Sequence, residues 1–165
     1  MRVLNILLLF MAISLSTIAR DRLRLFINSA NQYASVELSD YRKRLCAEYN
    51  TRGELLDDYY GRCGRDWGNV CLALEIARAS GKPMRDVCDY YRHYHRQGWE
   101  RILAESGIRP GSIHYDRFRD RIDCLRDRWG ECYRSCRYHR DGDYRHGRRY
   151  REYGCPRHHR CYDND

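Results

Sequence analysis

Lysine is nearly missing from this chain. Of 31 basic residues only Lys43 and Lys82 are lysine, so 29 are arginine, and the formal charge is +8. The basic surface is therefore built from planar guanidiniums, which grip phosphate and carboxylate bidentately and stack on aromatic rings. GC-rich coding explains such a skew as readily as function does. Catalytic signatures are missing too. There is no nucleophile elbow, no phosphate-cradling glycine loop, no paired-histidine zinc helix and no haem attachment sequence. The carboxylates at Asp57-Asp58 and at Asp86 and Asp89 fit an exposed helix surface equally well. Cysteine–histidine pairs are too numerous for any one to mark a nucleophile. The expectation is a protein that is not an enzyme and carries no cofactor.

Long apolar runs are missing as well, with one exception. Val3 to Ala19 is uncharged and follows Arg2. A secretory leader needs a positive start, about 7 to 15 apolar residues and small side chains at the cut. Arg2, Leu4 to Leu15, and Thr17 with Ala19 before Arg20 supply these. A membrane-spanning helix needs about 20 apolar residues, and this run holds Asn5, Ser14, Ser16 and Thr17. Arg20, Arg22 and Arg24 follow at once, which favours retention on the cytoplasmic side. Residues 1–19 are thus read as a signal peptide, with an uncleaved anchor over residues 3–19 as the alternative. The expected location is periplasmic or extracellular.

Past the leader about 146 residues remain, enough for one modest core. Nine cysteines in an exported chain read first as disulfides. The count is odd, so one sulfur is left for a free thiol, a metal or another chain, and an oligomer is one outcome. With fifteen tyrosines, the arginines suit an anionic envelope polymer, a lipid surface or an acidic protein. A solvated basic face is the plainer alternative.

The expected fold is mainly α: a small helical domain over 39–136, preceded by an extended segment over 20–38. In that segment Arg22 to Asn28 alternates basic and apolar residues, with Leu23, Leu25 and Ile27 on one face. This predicts a short strand, paired as a β-hairpin with Tyr33 to Leu38. Ser39 or Asp40 could cap a helix through Tyr41, Leu45 and Tyr49, and Glu54 to Cys63 suits another short helix. Asp66 is a natural N-cap for a helix carrying Val70, Ala73, Leu74 and Ala77. Gly81 closes it and Pro83 opens the next, which lines up Val87, Tyr90, Tyr91 and Tyr94. Together they form an antiparallel helical hairpin. Cys71 and Cys88 fall at comparable heights on its arms, which suggests a bridge. Gly98 breaks the second arm. Trp99, Ile102 and Leu103 then face inward until Gly107. A last helix from Ser112 or Asp116 presents Phe118, Ile122, Leu125, Trp129, Cys132 and Cys136 as a narrow seam.

Residues 137–165 form an Arg/Tyr/His/Cys-rich tail almost free of aliphatic side chains, so it cannot pack a core of its own. Cys132 and Cys136 lie one helical turn apart and are poorly placed to bridge each other. Nested pairs, Cys136 with Cys155 and Cys132 with Cys161, would staple the tail to the last helix. The rival is a metal site from Cys132, Cys136, His139, His146, Cys155, His158, His159 and Cys161. Zinc takes four nitrogen or sulfur ligands, and thiolates with imidazoles also suit copper. The spacing matches no standard zinc signature. His93 and His95 point about 200° apart on a helix and share no ligand. Arg145, Arg148, Arg149, Arg151, Arg157 and Arg160 are the candidate contacts for an anionic partner.

Two further patterns overlap in the middle of the chain. Ile76-Ala77-Arg78 with Gly81 and Pro83, then Gly98-Trp99, Ile102, Gly107 and Pro110-Gly111-Ser112, resemble a segment of uncharacterised exported bacterial proteins. Leu103 departs from that pattern, which has alanine there, and the cysteines are not part of it. The resemblance covers under a third of the chain and implies export and a helical fold, with no activity attached. Residues 102–122 also look like a helix-turn-helix, with His114, Arg117, Arg119 and Arg121 available to phosphates or bases. Any short helix, glycine turn and amphipathic helix gives the same pattern, and export argues against nucleic acid. A membrane-anchored DNA binder is the remaining alternative.

Overall fold

The computed structural model describes residues 20–146, with side chains through Tyr138. Among the described residues there are seven α-helices and no strand. They are α1 (20–36), α2 (Leu38–Glu48), α3 (Gly53–Arg62), α4 (Trp67–Ser80), α5 (Met84–Tyr94), α6 (Trp99–Glu105) and α7 (Ile113–His146). A 3-10 turn, His95–Gln97, joins α5 to α6. The mainly helical expectation holds.

The expected N-terminal β-hairpin does not form; residues 20–36 are α1. The alternation between Arg22 and Asn28 is local, whereas burial follows the helical period. Leu23, Phe26, Ala30, Tyr33 and Ala34 are buried, while Leu25 is 53% exposed. Spacings of three and four make one stripe only when the chain coils.

Helix α4 is the axis of the fold. Every residue from Val70 to Ile76 is buried, as expected of a helix apolar all round. Its start is held by two side chains. Asp66 accepts from the Asn69 amide at 2.7 Å, and Asn31 of α1 accepts from the Gly68 amide at 2.7 Å. These occupy two of the amides a helix start leaves unpaired. Asn31 also donates to Asp66 at 2.8 Å. α1 and α4 meet so closely that a Cβ on Gly68 would lie 2.4 Å from the Ile27 carbonyl oxygen. Gly81, in the left-handed conformation, closes α4. After it α5 packs back on α4, so the predicted hairpin is present.

The predicted seam on α7 is real. Phe118, Ile122, Leu125, Trp129 and Cys132 are buried and Cys136 is half-buried. Ser112 opens the helix, its hydroxyl accepting from the Tyr115 amide at 3.2 Å. Trp129 lies against Tyr33 of α1, with ring centroids 5.8 Å apart, and Tyr41 of α2, at 5.4 Å. α7 runs on to His146, so position 136 does not end regular structure. Lack of aliphatic side chains denies residues 137–146 a core, but it does not stop backbone hydrogen bonding along a helix. The rest of the tail, 147–165, and the leader, 1–19, lie outside the described residues. No helix among those described is long and apolar enough to cross a membrane.

Candidate functional site

Among the described residues, an assembly of ionised groups sits where α2, α4 and α7 meet. Glu75, in the middle of the apolar α4, is 1% exposed. Its Oε1 accepts from the Tyr49 hydroxyl at 2.6 Å and from Arg121 Nε at 3.3 Å. Arg121 also pairs with Glu48, whose second oxygen accepts from Arg128 Nη1 at 3.0 Å. Arg78 approaches Glu48 at 3.5 Å. A buried carboxylate is costly unless a cation and hydrogen bonds satisfy it, and here three helices supply those partners.

The surroundings set the ionisation. Burial works against charge on Glu48, yet Arg121 and Arg128 overcome it and hold the carboxyl below its ordinary 4.5. Burial likewise opposes charge on Arg121, and Glu75 and Glu48 reverse that, raising its pKa. Tyr49 is pushed up by burial, then by Cys71 and Glu75. Burial, followed by the Glu75 charge, pushes the Cys71 thiol up to about 12. Cys71 is thus a protonated, inert core thiol. The cluster joins helices.

The Cys71–Cys88 bridge suggested by the sequence is not present. Cys71 turns toward Tyr49, 3.9 Å from its hydroxyl, while the Cys88 sulfur lies 3.9 Å from that of Cys63. All three are free thiols. Equal height on two helices does not fix the direction in which the side chains point. Cys46 is a free thiol as well.

Of the proposed metal ligands, Cys132 is buried on α7 and Cys136 half-buried one turn later. The side chains of His139 and His146, and all of Cys155, His158, His159 and Cys161, lie outside the described residues. Among the described residues no three of His, Cys, Asp and Glu gather as a metal site. His93 and His95 bind backbone carbonyls of their own helix, Asp89 at 2.8 Å and Tyr91 at 3.1 Å. The six tail arginines, Arg145 to Arg160, also fall beyond the described side chains.

The helix-turn-helix segment keeps its outline but loses two of its four candidate contacts. His114 and Arg117 are exposed. Arg119, in contrast, pairs with Asp116 and Asp120, and Arg121 is turned into the buried cluster. Of the residues singled out in the middle of the sequence, Gly81, Gly98, Gly107 and Ser112 stand at helix ends, while Ile76 and Ile102 are buried within helices. Gly98 sits at φ +96° and ψ 168°, a region that side chains with a Cβ avoid. Trp99 donates to Asn69 Oδ1 at 3.3 Å, and Ser112 caps α7.

Comparison with family models, curated proteins and solved structures gives no match.

Sequence reasoning missed the charged cluster and the Cys63–Cys88 contact. One signal was available for the first. Glu75 interrupts an apolar stretch, VCLALEIA, and a carboxylate there needs a cation from elsewhere. Nothing in the sequence named Arg121, which is 46 positions away.

Proposed function

We propose that this chain is an exported, disulfide-stabilised helical protein that binds an anionic partner at the cell envelope through its C-terminal segment. The observation that carries the reading is the density of arginine in the C-terminal segment. Within the helical body Arg22, Arg42, Arg44 and Arg62 each face a carboxylate, as do Arg119, Arg121, Arg126 and Arg128. Residues 137–165, by contrast, hold eight arginines against five carboxylates, interleaved with tyrosine and histidine. Arginine beside aromatic rings suits phosphate-bearing polymers and lipid head groups. Export is supported by Arg2 and the Val3 to Ala19 run. The tail staples, Cys132 with Cys161 and Cys136 with Cys155, belong to the same reading. They would order a segment that has no core of its own.

Vesicle sedimentation tests the contact. Changing Arg145, Arg148, Arg149, Arg151, Arg157 and Arg160 together to glutamine is expected to weaken binding to phosphatidylglycerol vesicles at least about 100-fold, since each basic residue contributes about 1 kcal/mol near such a surface. The wild-type affinity is expected to fall as salt rises. Equal binding by the two proteins would overturn the assignment of the contact to the tail.

A further inference from the structure

We infer that Cys63 and Cys88 form a structural disulfide that ties the end of α3 to the middle of α5. The inference rests on the export reading for its oxidising surroundings, and it names a pair that sequence spacing did not single out.

The two sulfurs are 3.9 Å apart and both residues are buried. Closing to the bonded separation of about 2 Å asks for small side-chain rotations. The backbones that carry them are held in place. Cys63 is the C-cap of α3, its amide donating to the Tyr59 carbonyl at 2.8 Å. Its own carbonyl accepts from Asn69 Nδ2 at 3.3 Å. The same Asn69 nitrogen donates to the Tyr91 hydroxyl at 3.1 Å, and Tyr91 lies one turn beyond Cys88 on α5. Gly64, at φ +75°, lets the chain pass so close that a Cβ there would lie 2.7 Å from the Tyr91 hydroxyl. Asn69, Gly64 and Tyr91 therefore fix the Cys63 backbone against the helix that carries Cys88.

The chemistry is thiol–disulfide exchange with a low-molecular-weight disulfide as oxidant, occurring while the chain folds and both sulfurs are accessible. Before burial the two thiols are equivalent nucleophiles, and the order of attack does not change the product. The Cys88 thiolate attacks one sulfur of the oxidant, forming a mixed disulfide and releasing one thiolate. Cys63 then gives up its proton, attacks the Cys88 sulfur and expels the second thiolate. Two protein thiols lose two protons and two electrons, and the oxidant leaves as two thiols. The closed loop spans 25 positions, long enough for its loss to be felt in the unfolded chain.

The test is peptide mapping of the full-chain protein, refolded in a glutathione buffer of oxidised and reduced forms and alkylated without reduction. Trypsin cuts after Arg62, Arg65, Arg85 and Arg92, so the bridge links the tripeptide starting at Cys63 to the heptapeptide Asp86 to Arg92. That linked species, lighter by two hydrogens than its parts, is the expected product. Its reduction is expected to lower Tm by about 10 °C. The variant C63S is expected to show the same lower Tm, now insensitive to reductant at this site. Both peptides alkylated in natively folded protein would overturn the inference, as would Cys63 linked elsewhere. The buffer supplies the oxidant, so this result is independent of export. A linked pair in a protein retained inside the cell would sink the export reading and leave the bridge standing. An exported protein with both thiols free would do the reverse.

Discussion

Arg121 is the side chain that ties the two carboxylates of the cluster together. It bridges Glu48 and Glu75, which come from different helices and lie 73 and 46 positions from it. Arg121→Ala leaves Glu75 buried without its cation, so the expected loss is about 3–5 kcal/mol by urea unfolding. A change under about 1 kcal/mol would show that the cluster is bound too loosely to matter. The cluster also sets an acid limit. The folded pKa of Glu48 lies below its ordinary 4.5, so the unfolded chain takes up that proton first as pH falls. The stabilisation is complete above 4.5 and is lost as pH drops through the lower, folded value. Asp40, held below 3.8 by the Tyr33 and Arg44 hydrogen bonds against the opposing effect of burial, acts in the same sense. Unfolding curves between pH 6 and pH 2 are expected to show stability falling below about 4.5, with a shallower fall in the Arg121 variant. Equal slopes would contradict the assignment.

Among the elements, α1 and α4 approach closely at Gly68. Gly68→Ala places a methyl group 2.4 Å from the Ile27 backbone oxygen, and backbone cannot rotate away as a side chain can. The expected cost is about 2 kcal/mol or more in urea unfolding, although alanine is the better helix former by about 1 kcal/mol. A stabilised variant would mean that α1 does not sit where it is described. Helices α4, α5 and α7 were legible in the sequence because caps, glycine stops and a buried stripe agreed. Asp66, Gly81 and Ser112 each hold the position their chemistry suggests. α1 was misread because seven residues can satisfy two periods at once. Leu23, Phe26, Ala30 and Tyr33 decide for the helix only across a longer window. The Cys71–Cys88 bridge failed for a related reason. Height along a helix is visible in spacing, but the direction of a side chain depends on how the helix is rolled against its neighbours. The charged cluster and the Cys63–Cys88 contact are long-range meetings, and spacing carries no record of them.

For the whole molecule, the helical body looks inward. Tyr33, Tyr41, Arg22, Glu48 and Glu75 join α1, α2 and α4 to Trp129, Asp123, Arg121 and Arg128 of α7. The proposed work of the protein therefore falls to residues beyond that body, and compartment decides what those residues can do. In an oxidising space the cysteines become staples and the arginine-rich segment an anchored contact. In a reducing one they remain candidate ligands. Intact mass of unreduced protein taken from its own host tests this most directly. The account predicts a chain beginning at Arg20 and about eight hydrogens lighter than its thiol form, as four bridges among nine cysteines require. A chain beginning at Met1 with every thiol reduced would contradict it.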